Sequence, residues 1–395
     1  MPRSKGPKSG TLCVWGGEAK DNWMGATQVP VVYSVSFGYP DVDKWLAVAK
    51  GLQPGHIYSR NTNPTVEVFE EKIRALEGAE SATSFSTGMA AISNMFFSLL
   101  SPGDRVVSIK DTYGGVSKIF LEFFPRFKIK ATMCDTTDHA AIEREVTKGC
   151  KMLYLESPTN PTLKVVDIAR LAKVAHDHRA LVAVDNTFAT PINQNPLELG
   201  ADVVIHSATK FLGGHADAMG GAICGTKEIV SKIFHFREIN GATLDPMSAY
   251  LLLRSMKTLQ LRVQRQNESA LHIAKFLEKQ SMVERVFYPG LESHKQHDIA
   301  RRQMRGFGGV LSFQLKGGFD AVKAFLPSLK YAHLAANLGA VETVVGPPST
   351  TSHVECTPEE REAMGIPESL IRYSVGIESV EDLVADLKQA FSRMP

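Results

Sequence analysis

Lys210 stands in Ser207-Ala208-Thr209-Lys210, directly after Ala201-Asp202-Val203-Val204-Ile205-His206. That apolar run reads as a buried strand. Burying an ammonium is costly, so lysines seldom sit at the end of a core strand without a task. Two hydroxyls flank this one and Gly213-Gly214 follows it. Such a lysine can hold an aldehyde as a Schiff base, with hydroxyls nearby for a phosphate. Taken alone, the motif also fits a plain loop lysine.

Upstream, Ala180-Leu181-Val182-Ala183-Val184-Asp185-Asn186-Thr187 is a β-branched apolar run that ends in an acid. It places a carboxylate at the C-terminal end of a parallel strand, where open α/β sheets bind ligands. A carboxylate there can keep a pyridine nitrogen protonated, or it can cap the next turn. A third stretch, Ser84-Phe85-Ser86-Thr87-Gly88-Met89-Ala90-Ala91-Ile92, runs from hydroxyls through Gly into a helix-forming sequence. A helix N-terminus offers free N–H groups to a phosphate, and a Ser or Thr there also serves as an ordinary cap. Tyr113, in Asp111-Thr112-Tyr113-Gly114-Gly115, is either a ring that stacks on a planar cofactor or a half-buried tyrosine.

Read together with Tyr58-Ser59-Arg60-Asn61-Thr62-Asn63-Pro64-Thr65, Glu156-Ser157-Pro158-Thr159-Asn160-Pro161 and Arg372-Tyr373-Ser374-Val375-Gly376-Ile377-Glu378, these blocks carry a resemblance. The chain is similar to the Cys/Met-metabolism family of pyridoxal-phosphate enzymes, which holds cystathionine γ-synthase, cystathionine lyases, methionine γ-lyase and O-acylhomoserine sulfhydrylases. The resemblance implies a fold-type I, aspartate-aminotransferase-like α/β architecture. Its central sheet is mostly parallel and a smaller α+β domain follows. It also implies pyridoxal 5'-phosphate as cofactor. Lys210 would then bind the aldehyde and shuttle protons, and Asp185 would pair with the ring nitrogen. Tyr113 would stack on the ring and assist the leaving group. Ser86, Gly88, Met89, Ser207 and Thr209 would hold the phosphate, and Asn160 the 3-oxygen. Tyr58 and Arg60 would reach that phosphate from a neighbouring subunit, making a dimer the catalytic unit within a tetramer. Arg372 would grip the substrate carboxylate, a bidentate task suited to guanidinium, although a lone arginine also suits a surface ion pair. Asn337, Ser352 and Tyr58 complete the implied substrate contacts.

The member of the family is read from departures at three places. Cystathionine-handling relatives commonly carry Glu-Ser-Leu-Gly where this chain has Ala336-Asn337-Leu338-Gly339. Methionine γ-lyases often carry Cys after Tyr-Gly, where Gly115 stands here, and Val116 replaces a frequent Thr. The expectation is γ-replacement on an O-acetyl- or O-succinylhomoserine through a vinylglycine-type intermediate, with sulfide, a thiol or another nucleophile. The alternatives are a γ-lyase that releases 2-oxobutyrate and ammonia, and a catalytically idle scaffold of the same fold.

The elements that must position these residues are legible in outline. The 395 residues are 44% hydrophobic and 22% charged, ample for a packed core. A net charge of +2 suggests no polyanionic partner, so no nucleic acid is expected. No apolar run reaches spanning length, so no membrane is expected either. The basic start Met1-Pro2-Arg3-Ser4-Lys5-Gly6-Pro7-Lys8-Ser9-Gly10 reads as a flexible tail and not a signal peptide. Cys13, Cys134, Cys150, Cys224 and Cys356 show no CxxC spacing, which points to a reducing cytoplasm without disulfides or zinc. His176 and His178 lie two apart on a helical pattern and do not share a face, so no metal site is expected.

Residues 1–62 read as an extended arm, which by the resemblance contacts a neighbouring subunit. Residues 63–256 alternate helices with the strands 105–109, 151–155, 181–184 and 203–205, which argues a mostly parallel sheet. Residues 257–395 open with a helix from Leu259 to Leu277 and contain a strand near 309–315, which reads as the smaller α+β domain.

Overall fold

The computed structural model describes residues 6–18, 23–354 and 357–394. The first residues of the expected tail, Met1 to Lys5, lie outside them, as does Cys356. The central sheet contains β1 (Ser81–Phe85), β2 (Arg105–Ile109), β3 (Lys130–Cys134), β4 (Met152–Glu156), β5 (Leu181–Asp185), β6 (Val203–Ser207) and β7 (Gly221–Gly225). Their spatial order is β1-β7-β6-β5-β4-β2-β3. Strands β3, β2, β4, β5 and β6 run parallel, while β7 is antiparallel to both of its neighbours. The C-terminal ends of β1, β4, β5 and β6 therefore share one edge.

The parallel strands are apolar because both of their faces are covered. Met152 and Tyr154 of β4, Ala183 of β5 and Val203 and Ile205 of β6 feed one core cluster, which includes the Gly88–Leu99 helix. Their alternate neighbours Leu153, Leu155, Val182, Val184 and Val204 feed the other. This two-sided burial explains runs without polar alternation that end abruptly in Glu156, Asp185 and Ser207.

A second sheet follows the Leu259–Leu277 helix. It contains β8 (Val283–Phe287), β9 (Val310–Leu315), β10 (His333–Leu334), β11 (Val344–Gly346) and β12 (Leu370–Ser374), in the order β10-β11-β12-β9-β8. Only β10 and β11 are parallel. Strand β12 lies in the interior, with Arg372 registered opposite Ser312 and Gly346.

The N-terminal segment is less extended than its prolines suggest. Ser9–Trp15 is a helix, and Val42–Ala49 is another, capped by Asp41 accepting from the Lys44 N–H. The first is pinned by Lys72, whose fully buried ammonium donates to the carbonyls of Cys13 and Val14 and to Glu18. Farther along, Tyr33, Val35, Trp45, Leu46 and Leu52 remain exposed. No helix among the described residues is long and apolar enough to cross a membrane.

Candidate active site

The edge where β1, β4, β5 and β6 end opens on a cavity of about 270 Å³. Lys210, Asp185, Tyr113, Gly88, Met89, Ser207, Thr209, Asn160, Arg372, Asn337 and Ser352 all line it. Residues 285 positions apart thus meet at one place (Thr87 and Arg372 are the extremes, 372 − 87).

The glycine at 88 is a matter of space. A Cβ there would come within 2.7 Å of the Ser207 Cβ, so only glycine lets the start of the Gly88–Leu99 helix sit against the end of β6. Thr87 caps this helix by accepting from the Ala90 N–H at 3.0 Å. Thr87 thus satisfies one N–H of the helix start, while Gly88, Ser207 and Thr209 line the cavity and the Thr209 hydroxyl exchanges hydrogen bonds with the Gly220 backbone. Ser86 lies slightly apart and lines an adjoining open groove together with Thr209 and Lys210.

Asp185 accepts the Thr187 N–H at 2.9 Å, and the Thr187 hydroxyl accepts the Ser207 N–H at 2.8 Å. The ends of β5 and β6 are thereby tied to each other. Burial raises the Asp185 carboxyl above its usual range, while its hydrogen bonds with Thr187 oppose that rise.

Lys210 donates from Nζ to Asn337 Oδ1 at 3.1 Å. Burial, with the positive charge of Arg372, lowers its ammonium to about 8. Roughly a tenth of the amine is therefore neutral at pH 7, far more than for an ordinary lysine, as a nucleophile or base requires. Gly339, at φ 75°, allows the loop carrying Asn337 to close on Phe211; a Cβ there would meet the Phe211 nitrogen at 2.7 Å.

Arg372 is 5% exposed and donates to Asn160 Oδ1 at 3.1 Å and to the Asn337 carbonyl at 3.0 Å. It forms no ion pair among the described residues. Burial lowers its guanidinium to about 10. A buried guanidinium held by two neutral acceptors at a cavity wall is ready for a carboxylate. The alternative of a surface ion pair does not match this placement.

Tyr113 is 44% exposed and faces the same space. Its turn is fastened on both sides: Lys164 pairs with Asp111 at 2.7 Å, and Glu156 accepts the Tyr113 N–H.

Tyr58 and Arg60 do not line the cavity of their own chain. Arg60 donates to the Glu238 carbonyl at 2.7 Å and lies over the Tyr58 ring, and that ring is 42% exposed. His176 pairs with Asp202, and Asp177 with Lys173. Cys13, Cys134, Cys150 and Cys224 are free thiols.

Residues outside the expected set also line the cavity, among them Glu156, Thr187, Phe188 and Met219. Glu156 had a visible signal, since it ends an apolar run just as Asp185 does.

A family model described as Cys/Met metabolism PLP-dependent enzyme matches residues 10–392. The chain belongs to that family. It is 45% identical over 344 residues to the O-succinylhomoserine sulfhydrylase of Pseudomonas aeruginosa, covering 87% of this chain and 85% of that protein. It is 42% identical over 388 residues to the L-methionine gamma-lyase of Fusobacterium nucleatum subsp. polymorphum, covering 98% of each. The crystal structure of cystathionine gamma synthase from Xanthomonas oryzae pv. oryzae, in complex with aminoacrylate and cysteine, matches with a TM-score of 0.93 at 36% identity, covering 98% of each chain. The fold is thus that of the fold-type I enzymes, and the cofactor is pyridoxal 5'-phosphate. The cavity suits it: an amine, a buried acid, a helix N-terminus and two hydroxyls converge there.

Proposed function

We propose that this enzyme catalyses γ-replacement on an O-acylated homoserine. The observation that carries this is the wall beside Lys210. Ala336 and Asn337 line it, and the acids that line the cavity are Glu156 and Asp185, at the strand ends. Nothing acidic on the 336–338 stretch can receive the distal ammonium of cystathionine. An uncharged ester and its departing acyl group meet a neutral amide and a methyl group instead.

The residues divide the work as follows. Arg372 receives the substrate carboxylate and so fixes the α-carbon near the Lys210 amine. Asp185 keeps the ring nitrogen protonated, and Ser207, Thr209 and the Gly88 turn hold the phosphate. Bound pyridoxal phosphate supplies an electron sink for negative charge developed at the α-carbon. Lys210 is flexible enough to take protons from the α- and β-carbons in turn, and Asn337 is the hydrogen-bond acceptor that parks its amine between transfers. Tyr113, on the cavity wall, would give a proton to the departing γ-group. Tyr58 and Arg60 would complete the phosphate site from a second copy of the chain, within a dimer or a dimer of dimers.

A second reading is γ-elimination. The neutral wall also suits the thioether of methionine, and the 42% identity to a methionine γ-lyase supports it. Product analysis with O-acetyl-, O-succinyl- and O-phosphohomoserine, with and without sulfide or cysteine, separates the two. The expected result is a γ-substituted amino acid when a nucleophile is present and slow release of 2-oxobutyrate and ammonia without one. Efficient cleavage of methionine, with every O-acylhomoserine left untouched, would make the lyase reading the correct one.

A further inference from the structure

One acid at the site has no task in this scheme. Glu156 ends β4, Asp185 ends β5, and the two are registered partners on parallel strands. Registered parallel neighbours point to the same face, and both residues line the cavity. Glu156 is 6% exposed. Its partners are neutral donors: the Tyr113 N–H reaches its two oxygens at 2.9 and 3.0 Å, and the Tyr154 hydroxyl reaches one at 3.2 Å. Among the described residues neither Glu156 nor Asp185 forms an ion pair.

Two neighbouring carboxylates without a cation between them do not both ionise readily in a dry site. The surroundings decide which one holds the proton. Asp185 accepts the Thr187 N–H, and His206, on the same strand edge, favours its charged form. Glu156 is pushed well above the usual carboxylate range by burial first and then by the charge of Asp185, against the pull of the Tyr113 and Tyr154 hydrogen bonds, with Asp111 adding to the rise. Tyr113 and Tyr154 are the hydroxyl-bearing neighbours, and Lys210 and Arg372 stand on the cavity wall as its cations.

We propose that Glu156 is a positioning residue that works as the neutral member of a carboxyl pair, holding the Tyr113 turn and leaving Asp185 as the single negative charge presented to the cofactor's ring nitrogen. The proposal rests on the cavity being the pyridoxal-phosphate site with Asp185 at the nitrogen. The task needs an acceptor for the Tyr113 N–H and no second charge beside Asp185. Glutamine meets both needs. Aspartate is one methylene too short to reach Tyr113.

The test titrates cofactor-free Glu156→Gln, Glu156→Asp and Asp185→Asn proteins with pyridoxal phosphate and follows cofactor absorbance. At neutral pH, Glu156→Gln should bind within about twofold of the wild type, and Glu156→Asp about tenfold more weakly. Infrared spectra supply a readout that a purely structural role would not produce. The wild type should show a protonated-carboxyl C=O band that shifts in heavy water, and Glu156→Gln should lack it. Isotope-labelled glutamate gives the same readout in the wild type if the glutamine variant does not fold. A loss of tenfold or more in Glu156→Gln, or no protonated glutamate band, overturns the proposal. Wild-type cofactor affinity in Asp185→Asn would instead remove Asp185 from the ring nitrogen, a failure of the site assignment that the glutamine variant cannot mimic.

Discussion

Replacing Arg372 with lysine should impair catalysis through the substrate carboxylate alone. The guanidinium carries five N–H groups, and in this structure Asn160 Oδ1 and the Asn337 carbonyl each take one. Enough remain to grip a carboxylate through two parallel bonds. Lysine keeps the charge but offers a point donor, so one charge-assisted bond is lost. That is worth about 1.5–3 kcal/mol, or roughly ten- to 150-fold in kcat/KM. The assay compares O-acylhomoserine with its decarboxylated amine analogue, in wild type and variant. The wild type should strongly prefer the carboxylated substrate, and Arg372→Lys should lose most of that preference without losing cofactor. An equal fall on both substrates would show that Arg372 supports the fold of the cavity and not the carboxylate.

Lys210→Ala should abolish turnover in steady-state assays, and retained wild-type activity would remove Lys210 from the chemistry. In the cofactor-free protein the Lys210 ammonium titrates at about 8. Its folded value is depressed, so the reactive neutral amine accumulates as pH rises; capture of pyridoxal phosphate, followed by absorbance, should accelerate through that value and then level off. Mixing Arg60→Ala with Lys210→Ala subunits should restore part of the activity through hybrid sites. No recovery, with subunit exchange verified by mass spectrometry, would count against a shared site. Cystathionine should be a poor substrate, and Ala336→Glu should raise its kcat/KM by about tenfold by giving the distal ammonium a partner. An unchanged value would place cystathionine discrimination elsewhere.

Much of the sheet was legible because its central strands are buried on both faces. Runs such as Leu153–Leu155 and Val182–Val184 have no solvent side to interrupt them, and the structure places them side by side. Three strands escaped for the opposite reason. Ser81–Phe85 begins with small and polar residues at the sheet edge, Lys130–Cys134 is half-exposed, and Gly221–Gly225 carries glycine at both ends because its neighbour crowds it. At Gly221 a Cβ would come within 2.2 Å of the Thr87 carbonyl oxygen, so contact with another segment, and not local propensity, sets that residue. The helices of the N-terminal segment were hidden likewise: Ser9–Trp15 is held by the buried Lys72, far along the chain.

The site was legible where chemistry restricts residue type and opaque where a residue serves another residue. An acid that ends a buried strand, a lysine just past one and an arginine inside another announce themselves, because water would ordinarily claim the charged groups. Asn337 is expected as a substrate contact, but only the structure places its amide 3.1 Å from the Lys210 amine and its carbonyl on Arg372. One short loop thus touches both cations of the cavity wall, Lys210 and Arg372. A substitution in the 336–338 stretch can therefore alter the position of the proton carrier and the seat of the substrate together. Relatives named as sulfhydrylase and as γ-lyase share this framework at 45% and 42% identity, so overall likeness separates them poorly. Under the proposed γ-replacement, Asn337 is the residue placed to hold the Lys210 amine between proton transfers.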